Sequence, residues 1–355
     1  MVEWKKLGEV CTFNRGRTIT AKDAVDGGIP VIAGGQTPSY YHNESNREGE
    51  SITVAGSGAY AGFISYWNQP IFVSDAFTVD PKELLKHKYL FHWLKLNQSN
   101  VFATQKGAGV PHVHGKDIAN FHIPIPSLEE QTRIVGILDT FTSAIDNLKE
   151  QIAQRRKQYE YYRDQLLDLE GKEGVRQIVL KDVCDVINGR AYSQPELLSE
   201  GKYRVLRVGN FFSNDSWYFS DLELEDKYYC NKGDLLYAWS ASFGPHIWEE
   251  EKVIYHYHIW KMSCKEELHT KYMYYWLQSE DMKKQAFSNL HGATMAHLTK
   301  VLMESLNVPV PPLSEQQRIV SILDTFEASI QNLEAQLEQR QKQYEYYRNK
   351  LLTFE

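Results

Sequence analysis

A 48-residue stretch occurs twice in this chain, and that repeat limits the available folds more than any other feature. Residues 123–170 read IPIPSLEEQTRIVGILDTFTSAIDNLKEQIAQRRKQYEYYRDQLLDLE. Residues 308–355 read VPVPPLSEQQRIVSILDTFEASIQNLEAQLEQRQKQYEYYRNKLLTFE. Aligned without gaps, 29 of the 48 positions are identical. The segments before each copy, about 1–122 and 177–307, match only in islands. KKLGEVCTFNRGR (5–17) is echoed by IVLKDVCDVINGR (178–190), and GAGVPHVHGKDI (107–118) by GATMAHLTKVLM (292–303). The chain is therefore a tandem of variable and near-constant segments, divided at 1–125, 126–175, 176–311 and 312–355. Constant parts that stayed alike beside variable parts that drifted fit one common contact made twice and two different contacts made once each.

The constant segments read as long helices. Ser127 with Glu130, and Ser314 with Gln317, have the spacing of capping boxes, and Pro126, Pro311 and Pro312 stand where a helix has not yet begun. Beyond them only Gly136 interrupts about 40 residues free of Gly and Pro. Apolar positions step by four and three through Ile134, Leu138, Phe141, Ile145, Leu148, Ile152, Arg155, Tyr159, Tyr162, Leu166 and Leu169. The second copy repeats the pattern from Ile319 to Phe354, with Arg340 in the place of Arg155. That is a heptad seam, about 54 Å long if ~36 residues are helical. The two seams are expected to pack together as an antiparallel coiled coil, which gives the chain a pseudo-twofold axis. Arg155 and Arg340 are expected to set register, snorkelling or pairing with acids. Arg133, Glu160, Tyr161 and Arg163 recur as Arg318, Glu345, Tyr346 and Arg348. They are read as outward positions, and their match across the duplication marks them as a partner surface.

The variable segments read as mixed α and β. Strands are expected at Ser51–Ala55, Ile71–Phe77, Tyr203–Val208 and Val253–Trp260, and helices at Lys82–Gln98 and Thr270–Gln285. No catalytic constellation emerges. The glycine-rich run 56–62 lacks the Lys-Ser/Thr of a phosphate loop. His112 with His114, and His256 with His258, have strand spacing, which predicts one packed and one exposed residue rather than a metal pair. Asp80-Pro81-Lys82 is followed by no acid-x-Lys strand. Neither a G-x-S-x-G elbow nor an Asn/Asp-Pro-Pro-aromatic tetrad is found. Four scattered Cys without CxxC spacing exclude a disulfide scaffold and a Cys-rich zinc site, and suit a reducing cytoplasm. No apolar run approaches the ~20 residues of a membrane span, and the first ten residues lack a signal-peptide pattern. The repeat runs to the last residue, so little terminal extension is expected.

What remains is a set of polar and aromatic residues on glycine-flanked loops. In the first domain they are Arg15, Arg17, Gln36, Ser57, Tyr60 and Lys106; in the second, Asn188, Arg190, Arg207, Asn210, Trp239 and Ser240. Arg suits guanine, Asn and Gln suit adenine, and Lys and Ser reach phosphates, so these are candidate DNA contacts. The net charge of -7 argues the other way, although residues 1–125 carry a net +1.

Three features resemble the specificity subunits of type I restriction–modification enzymes. They are the I-P-x-P-x-L-x-E-Q-x-R-I-V-x-I-L-D pattern in both copies, the G-x-x-x-x-H-(V/L) islands at Gly107–Val113 and Gly292–Leu298, and Gly-Asp-Leu-Leu in the second domain. The resemblance spans essentially the whole chain, and the helical segments carry its most specific part. It implies an α+β architecture of two target recognition domains, each followed by a spacer helix. It also implies that each domain reads one half of a bipartite, asymmetric DNA target. Two methyltransferase subunits would dock on the helices, with restriction/translocase subunits completing the complex. This chain would then be non-catalytic and hold no metal or cofactor, with S-adenosylmethionine, ATP and Mg expected on the partners. A protein-binding adaptor without DNA specificity is the rival reading.

Overall fold

The computed structural model describes residues 2–354 except 23, 108, 213, 241 and 288–297. The described chain divides into two compact units, residues 1–150 with 334–355 and residues 151–333. Each unit holds one variable domain, one half of the helix Leu128–Leu167 and one half of the helix Leu313–Leu352.

The first unit contains three small sheets. Strands Cys11–Arg15, Ala76–Pro81, Glu50–Ala55 and Ile64–Asn68 are neighbours in that order, all antiparallel. A second sheet orders Tyr40–His42, Ile29–Ile32 and Phe72–Val73, the last pair parallel. A third pairs Glu3–Lys6 with His122–Ile125, the strand built from the Ile-Pro-Ile motif. Pro124 fits there because a two-stranded ribbon has free edges and leaves its missing N–H without cost.

The second unit repeats this plan. Cys184–Asn188, Ile259–Cys264, Leu235–Ser240 and Ser242–Ile247 form the four-stranded sheet. Tyr218–Ser220, Tyr203–Leu206, Val253–Tyr255 and Tyr229–Cys230 form the mixed sheet. Arg176–Val179 pairs with Asn307–Val310.

Two expected strands are in fact broken. Ile71–Phe77 divides into Phe72–Val73 and Ala76–Pro81, and Val253–Trp260 into Val253–Tyr255 and Ile259–Cys264. At Ser74-Asp75, and again at His256–His258, the chain leaves the mixed sheet for the four-stranded one. An apolar run is continuous across such a step because both flanks are buried. The expected helices are broken too, into His87–Leu96 with Gln98–Phe102 and into Thr270–Trp276 with Glu280–Phe287.

Within each unit the long helices run antiparallel. In the first, Phe141 stacks on Tyr347 with ring centroids 5.2 Å apart, while Ile134 and Leu138 share a core with Leu351 and Leu352. In the second, Phe326 stacks on Tyr162 at 5.5 Å, and Ile319 and Leu323 share a core with Leu166 and Leu167. Earlier residues of one helix thus meet later residues of the other. The seam arginines lie over these rings, Arg340 5.8 Å from Phe141 and Arg155 5.8 Å from Phe326. Of the two expected arrangements, snorkelling or pairing with acids, this cation–π placement is nearer the first.

One helix start differs from expectation. Ser127 Oγ accepts the Glu130 N–H at 3.2 Å, as a cap should. The matching position in the second copy is Pro312, and Ser314 already lies inside the helix, so no capping box forms there. The carboxylates that follow point forward instead, Glu130 to Arg133 and Glu315 to Arg318, each through two hydrogen bonds of 2.6–2.7 Å.

The domains are fixed to the helices by a shared polar clamp. Gln131 is fully buried; its amide donates to the carbonyls of Leu84 and Pro126 and accepts the Lys86 N–H at 2.9 Å. Gln316 does the same with Glu267, Pro311 and His269. Beside it, Tyr89 donates to the Pro124 carbonyl and Tyr272 to that of Pro309. Lys88 pairs with Asp139 at 2.5 Å and Lys271 with Asp324 at 3.0 Å.

Candidate nucleic-acid interface

The polar loops of the first domain gather at the end of the four-stranded sheet where the chain changes sheets. Strand Cys11–Arg15 ends in Arg15, and Gly16 then passes over Ser74. A Cβ at Gly16 would lie 2.2 Å from the Ser74 carbonyl oxygen, so only glycine allows this approach. Arg47 holds the turn from behind. Its guanidinium donates to the carbonyls of Asn14, Arg15 and Asn46 and to Thr78 Oγ1. Asn46 braces the same place by exchanging two hydrogen bonds with the Val73 backbone. Neither Asn46 nor Arg47 was singled out by sequence reasoning, and the NREGE loop that carries them is the only signal.

A cleft of about 480 Å³ opens beside this turn. Arg15, Ser57, Asp75, His112, His114 and Lys116 line it, together with Phe13 and Phe77. Ser57 Oγ donates to Asp75 Oδ2. His112 and His114 are both exposed, with rings nearly parallel and 6.3 Å apart, and Val113 between them is buried. Strand spacing predicted one packed and one exposed histidine; the residue facing inward is the valine.

The remaining first-domain candidates lie around the cleft rather than in it. Arg17 is exposed, stacks 5.1 Å over Phe72 and sits 3.6 Å from Glu44. Gln36 and Tyr60 are exposed on neighbouring loops. Lys106 pairs its backbone with His112 and binds Asp117 at 2.5 Å, and this hydrogen bond holds the Asp117 carboxyl below its ordinary range.

In the second domain several candidates are engaged internally. Arg190 forms two hydrogen bonds to Glu196, at 2.6 and 3.1 Å, and lies 5.1 Å over Tyr192. The Arg190 guanidinium, helped by Ser193, pulls the Glu196 carboxyl down to about 2. Asn210 closes its own loop by accepting the Arg207 N–H and donating to the carbonyls of Asn214 and Ser216. Arg207 lies 4.3 Å over Tyr218. Asn188 is exposed at its strand end.

Trp239 donates to the Tyr257 carbonyl at 2.9 Å, and its ring packs 5.1 Å from His258 and 5.7 Å from Trp260. Ser240 follows it, half-buried. His256 and His258 are both half-buried in this aromatic cluster rather than divided between packed and exposed, and burial lowers the His256 imidazole to about 4. Among the described residues no three His, Cys, Asp or Glu side chains are placed to hold a metal ion. Half of the island match at 292–303, residues 292–297, lies outside the described residues.

On the helices, Tyr161 and Tyr346 are 61% and 59% exposed, and Glu160 and Glu345 are exposed beside them. Arg163 is not outward as expected. It is 6% exposed, with its guanidinium on Asp164 and over the Tyr159 ring. Arg348 is half-buried over Tyr344. A long arginine on a crowded helix face folds its stem onto the adjacent tyrosine, which heptad counting does not reveal. Arg133 and Arg318 remain about half exposed in their Glu pairs.

Two variable domains, each joined to the long helices by the same glutamine clamp, define a protein of duplicated, modular build. The type I restriction modification DNA specificity domain matches twice, over residues 1–155 and 172–340, and the chain belongs to that family. It is 30% identical to a putative type I restriction enzyme specificity subunit of Haemophilus influenzae, over 99% of this chain and 96% of the relative. It is 28% identical to the EcoR124I/EcoR124II specificity subunit of Escherichia coli, over 99% and 94%. Its fold matches the crystal structure of a type I S subunit from M. genitalium with a TM-score of 0.67 at 18% identity, covering 100% of this chain and 97% of the other. No helix among the described residues is long and apolar enough to cross a membrane.

Proposed function

We propose that this chain is the sequence reader of a type I restriction–modification assembly. Each variable domain reads one half of a bipartite, asymmetric DNA target, and the helices dock two methyltransferase subunits. The observation that carries the reading is the pairing of a constant frame with changed loop chemistry. Gly16 and Gly189 make the same close backbone approach in the two domains, yet the residue before each is Arg15 in one and Asn188 in the other. Two frames alike and two reading edges unlike are what an asymmetric target requires.

The chain supplies recognition and not chemistry in this reading. S-adenosylmethionine, ATP and Mg act on the methyltransferase and restriction/translocase partners. The chain's acidic balance then leaves most phosphate contacts to those partners. Gel-shift titration tests this. The chain alone should bind duplex DNA weakly, and addition of the methyltransferase subunits should produce a sequence-specific complex. If the assembled complex prefers no sequence, the reading fails and the adaptor alternative stands.

A further inference from the structure

We propose that the first-domain cleft reads the exocyclic amino group of a cytosine or adenine, with Asp75 as the acceptor. The proposal rests on the reading of this chain as a DNA-sequence reader and specifies one contact within it.

Asp75 sits in the two-residue step between sheets, so its backbone is fixed on both sides. The Gly56 N–H donates to the Asp75 carbonyl at 3.1 Å. One carboxylate oxygen, Oδ2, accepts from Ser57. The other, Oδ1, would lie 3.3 Å from a Cβ built on Gly56, so it faces the space that Gly56 leaves open. Asp75 and Gly56 both line the cleft. Around this acceptor stand the exposed imidazoles of His112 and His114, which offer flat faces, and the cations Arg15 and Lys116.

A carboxylate only accepts hydrogen bonds. Cytosine N4 and adenine N6 offer N–H groups in the major groove, whereas guanine O6 and thymine O4 would set oxygen against oxygen. The site is thus built to accept an amino base and reject a keto base.

The second domain differs at the same two positions. Ala55 pairs with Ala76, and the next N–H, that of Gly56, bonds to Asp75; Ala238 pairs with Ile259, and the next N–H, that of Trp239, bonds to His258. Trp239 therefore replaces Gly56, and His258 replaces Asp75. The indole packs against His258, filling the space that glycine leaves empty in the first domain, and no carboxylate stands there. The shared frame carries an open acidic cleft in one copy and an aromatic surface in the other.

The test uses the complete methyltransferase assembly on a library of random duplexes, followed by sequencing of the methylated molecules. With wild-type chain, one position of the half-site read by residues 1–125 should favour one orientation of its base pair, amino base on a fixed strand, by about 10-fold or more, as a single base contact gives. Asp75→Asn presents a donor as well as an acceptor. It should reduce that preference to about 2-fold while the other half-site is selected as before. An unchanged preference at every position of the first half-site in Asp75→Asn would overturn the proposal and leave the sequence-reader function intact. A wild-type assembly that selects no shared motif would instead remove that function. If Asp75→Asn abolishes all methylation, His112→Ala decides, since its side chain is exposed. Weakened selection confined to the first half-site supports the cleft, and unchanged selection in both halves contradicts it.

Discussion

Gln131 and Gln316 show how much of a junction one side chain can hold. Each is fully buried, and each satisfies two carbonyls and one N–H of a domain loop and helix start. Gln131→Leu would strand one buried and two partly buried backbone groups, at up to about 1–3 kcal/mol apiece before relaxation. We expect the denaturant midpoint of the chain to fall by the equivalent of about 3 kcal/mol or more, whereas Gln317→Leu, on the exposed side, should shift it little. The sequence displays Gln131 only as an identical letter in both copies. The loop it holds lies 45–47 residues away, too far for local pattern to reveal.

Glu327 gives a pH signature at the same scale. Burial raises its carboxyl above the ordinary range, although the hydroxyls of Tyr275, Tyr159 and Tyr274 reach it at 3.1–3.4 Å. The folded state therefore holds the proton more tightly than the unfolded state. The stability this contributes is full below the unfolded value of about 4.3 and is lost as pH rises through the folded value. Glu327→Gln should remove that fall, so the melting temperatures of variant and wild type should diverge, variant higher, between acidic and neutral pH. Parallel melting curves against pH would contradict the assignment.

Among the elements, the long helices were the most legible. Heptad stepping marked the seam, and Ile134, Leu138, Ile145, Ile152 and Tyr159 are buried as it requires. The sheets were less so. Residues 71–77 and 253–260 read as continuous strands because both halves of each are apolar, yet each bends where it changes sheets. Those bends place Asp75 and His258, so the pattern failed where the candidate site lies. Asp75 itself was missed because no motif surrounds it; only the pairing of Ala55 with Ala76 puts it beside Gly56. On the helix surface, Tyr161 and Tyr346 are the most exposed aromatic members of the repeated YEYYR. Exposed tyrosines of this kind dominate interfaces, where truncation typically costs about 2 kcal/mol, or about 30-fold in affinity. Tyr161→Ala should weaken one methyltransferase copy and leave the other, giving a one-to-one complex by native mass spectrometry. Retention of two copies at wild-type affinity would mean that Tyr161 faces solvent. Arg163 is unsuitable for this test, since its burial on Asp164 would add a folding defect.

For the whole molecule, duplication supplies the logic. The two units share strand order, clamp glutamines and helix-bound lysine–aspartate pairs, and differ at the edges of their sheets. A negative net charge is compatible with DNA recognition when reading is confined to those edges and partners surround the duplex. The most direct measurement is a map of methylated adenines in a host carrying the complete system, before and after residues 1–122 are exchanged for those of another family member. The account predicts that one half of the methylated motif changes while the other half and the gap between them stay the same. A change in both halves, or in neither, would contradict it.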